Sequence, residues 1–123
     1  MADTIPSMPE ANAAYQASLA ALRAAHTNLD QITATQPVDW NAYSAGLAVC
    51  TACQNSAQSA LSVFQAAILN TPAVQELIAK LVTETQAMTQ TAKALDKTAA
   101  TLTTLANIAT TMTSILTTIL KFV

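Results

Sequence analysis

From Pro72 to Val123 the chain reads PAVQELIAKLVTETQAMTQTAKALDKTAATLTTLANIATTMTSILTTILKFV, with no Gly and no further Pro. The stripe Val74, Leu77, Leu81, Glu84, Met88, Thr91, Leu95, Thr98, Leu102, Leu105, Ala109, Met112, Leu116, Ile119, Val123 steps by three and four without a slip. That is the period of a helix packed along a neighbour. Read literally, the stretch predicts one straight helix of about 50 residues, roughly 75 Å long at 1.5 Å per residue. Its seam is weakest between Glu84 and Thr98, where Glu84, Thr91 and Thr98 are polar. A bend near Asp96-Lys97-Thr98 is the alternative, and it would make a four-helix bundle. Turns without Gly, Pro or Asn are uncommon, so the straight helix is the expectation.

Upstream, Thr71-Pro72 supplies an N-cap and a proline at the first helical position. The preceding helix is expected over 39–69, opening at Asp39 and striped by Trp40, Tyr43, Leu47, Cys50, Gln54, Ala57, Leu61, Phe64 and Ile68. Gly46 lies inside it at a cost of about 1 kcal/mol relative to Ala, which a close helix crossing would explain. A first helix is expected over 9–35, striped by Tyr15, Leu19, Leu22, His26 and Leu29. Ser7-Met8-Pro9-Glu10 reads as its capping box. Residues 1–8 have no period and read as a flexible lead-in. The fold class is therefore all-α, an antiparallel hairpin plus one long carboxy-terminal helix, with 9–123 as a single helical domain.

The composition agrees. Of 123 residues, 27 are Ala and 19 Thr, one is Gly, and 10% are charged. Too little Gly is present for the turns of a sandwich or barrel, or for a phosphate-binding loop. Five cations at net charge −2 make no phosphate-binding patch, so nucleic acid is not an expected partner. No signal peptide or lipidation motif is apparent, and the expected location is cytoplasmic by default, with signal-less export left open.

Little here points to catalysis. The seven carboxylates form no metal-binding or nucleophile motif, and the chain reads as a non-enzyme with no catalytic, cofactor or metal residues. Cys50-Thr51-Ala52-Cys53 lies well inside a helix rather than at its start, unlike a redox C-x-x-C. Its thiols read as small apolar packing groups. A small ligand- or metal-binding bundle using Cys50, Cys53 and His26 is the remotest reading. His26 and Gln54 are polar residues at seam positions, where such residues set register and partner number.

Charge is distributed unevenly. No charge occurs over 40–75 or over 98–120. In the second run Leu102, Leu105, Ile108, Met112, Ile115, Leu116 and Ile119 share one face, with threonines mostly opposite. Such neutral surfaces can pair with copies of themselves without charge repulsion. The expected function is self-assembly or protein–protein interaction. The partner would be a second copy or another helical protein, and the Leu102, Leu105, Met112, Leu116, Ile119 face would be buried between chains. In composition the chain resembles bacterial helical assembly proteins such as subunits of secreted filaments or R-bodies, which implies the same role. The alternative is a membrane-active, pore-forming-type protein that inserts 98–120.

Overall fold

A computed structural model of the chain describes residues 3–123. Its elements are β1 (Thr4–Ile5), α1 (Pro9–Ala34), α2 (Trp40–Gln65), β2 (Ile68–Leu69), α3 (Pro72–Lys93) and α4 (Ala99–Leu120). At 1.5 Å per residue the helices are about 39, 39, 33 and 33 Å long. Four rods of matched length pack side by side. α1 lies against α2 and α3, α4 lies against α2 and α3, and little contact crosses the diagonals. Ser18 meets Ser56 and Leu29 sits against Gly46, so α1 and α2 pair in opposite chain order.

The carboxy-terminal stretch is two helices, which corrects the expected straight helix of about 50 residues. The break falls at the weak part of the seam. α3 ends at Lys93, Leu95 turns partly into the core, and α4 begins after Thr98. Asp96 takes over the role of a turn-forming Gly or Asn. Its Oδ1 accepts from the Thr98 backbone N–H at 2.9 Å, from Thr98 Oγ1 at 2.6 Å and from Thr101 Oγ1 at 2.7 Å. Thr98 in turn caps α4 by accepting from the Thr101 N–H. The Thr98 and Thr101 hydroxyls, then the Thr98 amide, hold the Asp96 carboxyl down at about 2 from an ordinary 3.8. The driving force lies downstream. A straight helix would leave the Leu102–Ile119 stripe without cover, and the bend lays it on α2.

One helix boundary and one helix cap also differ from the sequence reading. α2 stops at Gln65, because Ile68 and Leu69 pair antiparallel with Ile5 and Thr4. The Leu69 N–H donates to the Phe122 carbonyl and the Asn70 N–H to that of Asp3, which ties Asp3 and Phe122 to the α2–α3 connection. Residues 3–8 are thus more than a bare lead-in: Met8 is fully buried. Residues 1 and 2 of that segment lie outside the described residues. The capping box at Ser7 does not form. Met8 precedes a proline, which disfavours helical backbone, so the helix begins at Pro9, its expected start. Met8 is then the cap residue, with no side-chain cap bond.

Candidate interaction surface

Heptad periodicity occurs twice on α1, on two different faces. The buried face is Ala11, Ala14, Ser18, Ala21, Ala25, Asn28 and Ile32. It steps by three and four, like the large-residue stripe Tyr15, Leu19, Leu22, His26, Leu29 beside it. α2 repeats the arrangement. Its buried residues are mainly small, with Ala42, Gly46, Cys53, Ser56 and Ala60 among them, while Trp40, Leu47 and Leu61 are 67%, 46% and 37% exposed. Small residues let the two backbones approach closely. A Cβ added at Gly46 would come within 2.6 Å of Leu29 Cδ2, so Gly46 marks a point of close contact. Where the helices touch in the core, Ser18 and Ser56 hydroxyls lie 2.7 Å apart, and the Ser56 hydroxyl also reaches the Cys53 carbonyl.

The larger residues consequently form an outer seam. A groove between the two helices is lined by Tyr15, Leu19 and Leu22 of α1 and by Gln54, Ala57, Gln58 and Leu61 of α2. His26 and Gln54 are exposed, which corrects their expected place in a buried seam. They lie on this outer face. Trp40 and Tyr43 stack edge to face with ring centroids 5.6 Å apart at the start of α2.

α4 behaves oppositely. Leu102, Leu105, Met112, Leu116 and Ile119 are fully buried, and the α2–α4 packing is the most extensive in the bundle. This corrects the expectation that the same face is buried between chains: α2 of the same molecule covers it. The threonines lie outward, and Thr104, Thr110, Thr111, Thr117 and Thr118 each donate to the carbonyl four residues back. Their methyls therefore coat a face whose hydroxyl protons are already used within the helix. α2 and α4 are the two uncharged helices, and they are neighbours. One half of the bundle is electrically neutral along its length, while the helical charges fall on α1 and α3.

The thiols have no sign of reactivity. Burial pushes Cys53 up to about 12, with the adjacent Cys50 adding to it, and burial also raises Cys50. Among the described residues no three His, Cys, Asp or Glu side chains gather as metal ligands, so His26 does not join the two cysteines. No helix among them is long and apolar enough to cross a membrane. Comparison with family models, with curated proteins and with solved structures finds no match.

Sequence reasoning found Tyr15, Leu19, Leu22, Leu47 and Leu61 but took them for the core. The signal that separates the faces is side-chain size. A second stripe of Ala and Ser with equal period runs beside the large one, and only the small one fits a close helix crossing.

Proposed function

We propose that the chain is a non-enzymatic helical subunit that works by associating with itself or with another helical protein. The contact surface is the outer seam of α1 and α2, whose α2 side belongs to the uncharged half of the bundle. One observation carries this reading: the hairpin keeps its small residues inside and leaves a heptad stripe of large apolar residues half open. Large exposed apolar faces mark interaction sites, and mixed surface charge that would keep copies apart is missing from α2. His26 and Gln54 are the polar positions of that seam, suited to fixing register.

Light scattering coupled to size exclusion tests the proposal. The expected result is a species heavier than 12.8 kDa that grows with concentration, or a stoichiometric complex with a helical partner. A monodisperse monomer at high micromolar concentration, with no helical partner recovered by cross-linking in cells, would overturn it.

A further inference from the structure

The exposed face of α2 places one leucine at equal distance on each side of Gln54. Leu47 lies one heptad before it and Leu61 one heptad after it, and Trp40 lies a further heptad before Leu47. Trp40, Leu47 and Leu61 are three of the five large apolar residues exposed on the described chain. Gln54 is itself exposed, and no residue from Trp40 to Gln65 carries a charge.

We infer that the partner is a second copy of this chain, docked so that α2 runs antiparallel to α2 with Gln54 opposite Gln54. This rests on the association proposed above and names its partner and register. In such a pair Leu47 of each copy meets Leu61 of the other, so one two-fold axis satisfies both apolar positions at once. A two-fold contact must be self-complementary in this way. Central glutamines can hydrogen-bond to each other through their amides, since each carries both donors and an acceptor. Trp40 falls near the end of the partner's α2 and extends the apolar strip there. The same axis brings α1 beside its copy, with Leu19 level with the centre, because Ser18 is level with Ser56 in the hairpin.

Charge and area both favour a second copy. Along α2, the centre of the contact, two uncharged faces approach without like-charge repulsion and without stripping water from ions, and the charges of α1 (Glu10, Arg23, Asp30) lie outside its large-residue stripe. A face two helices wide and about 39 Å long, at about 10 Å per helix, covers about 800 Å². That is about the area each partner contributes to a stable interface of standard size.

Charge exchange tests the register in the full chain. Leu47 and Leu61 lie at the surface, 46% and 37% exposed, so Leu47→Glu, Leu61→Lys and the double variant should keep wild-type helicity by circular dichroism. Each single variant should weaken dimerisation at least about tenfold, because it buries a charge without a partner. Antiparallel pairing sets Glu at 47 against Lys at 61 of the other copy twice, so the double variant should recover most of the loss by sedimentation velocity. A double variant weaker than both singles would overturn this register while leaving association through the face intact. Unchanged dimerisation in both singles would place the contact elsewhere and overturn the inference. A wild-type chain that stays monomeric would overturn the inference, and the proposal beneath it would then stand only on a different helical partner. As a check independent of charge, Gln54→Cys with Cys50 and Cys53 replaced by Ala should form a disulfide-linked dimer under mild oxidation. Failure of that link in a folded dimer would also overturn it.

Discussion

The Ser18–Ser56 pair tests the close packing of α1 on α2. Each hydroxyl has one proton. Ser56 Oγ lies 3.1 Å from the Cys53 carbonyl and 2.7 Å from Ser18 Oγ, and Ser18 Oγ lies 3.8 Å from Met88 Sδ. If Ser56 donates to the carbonyl, Ser18 must donate to Ser56. Ser18→Ala then removes one neutral hydrogen bond and leaves Ser56 with its carbonyl, a loss of about 1 kcal/mol. Ser56→Ala is worse. It leaves the fully buried Ser18 hydroxyl with only a thioether to donate to, at a cost of about 2 kcal/mol. The double variant leaves no hydroxyl to satisfy and should cost about 1 kcal/mol, far less than the sum of the singles. Urea unfolding followed by circular dichroism measures all four corners of the cycle at one protein concentration. Equal single costs with an additive double would refute the reasoning. They would mean that each serine simply turns back onto its own helix and that nothing couples α1 to α2 through this bond.

Three further outcomes follow from the same structure. Because the Asp96 carboxyl is lowered to about 2 from 3.8, its contribution to the α3–α4 turn is full above the ordinary value and is lost as pH falls through about 2. Wild type should therefore lose stability over that window more than Asp96→Ala does, as read by thermal melts across acid pH. Cys53, buried and raised to about 12, should resist iodoacetamide in the folded chain at neutral pH and react fully in denaturant, as counted by mass spectrometry. Replacing Leu105, Met112 and Leu116 together with Gln should abolish helicity rather than merely dissociate an assembly, because all three are fully buried within one chain; circular dichroism separates the two results.

Much of this architecture is written in local signals. Asp39 and Thr71 cap their helices by accepting from the Ala42 and Val74 amides, as their residue types foretell. Thr35-Gln36-Pro37 follows the end of α1, and Asn70-Thr71-Pro72 opens α3 though α2 has already stopped at Gln65. The Leu102–Ile119 stripe is a true core face. The bend at Asp96 was visible only as a weakening of the seam. No backbone-permissive residue announces it, and what decides it is long-range: an apolar stripe that finds its partner on α2. The pairing of Thr4–Ile5 with Ile68–Leu69 is non-local as well, and two-residue strands carry no periodicity to detect.

Choosing between the two faces of α1 and α2 required a property that periodicity lacks. Both stripes recur every three or four residues, so both satisfy the rule for a packed helix. The large stripe is the more hydrophobic, and hydrophobicity alone would put it inside. What wins is the whole bundle. α4 brings Leu, Met and Ile to the centre, each contributing about 1.5–3 kcal/mol when fully buried, and the space left for α1 and α2 suits Ala, Ser and Gly. Filling the centre from α4 leaves the hairpin with its own large apolar residues facing outward. An exposed Leu47 or Leu61 singly would mean little. Two leucines and a tryptophan in heptad register on one uncharged helix, flanked by a groove lined with Tyr15, Leu19 and Leu22, form a surface whose apolar area the single chain covers only in part. The same packing choice that closes this core therefore creates the face on which the chain is proposed to associate.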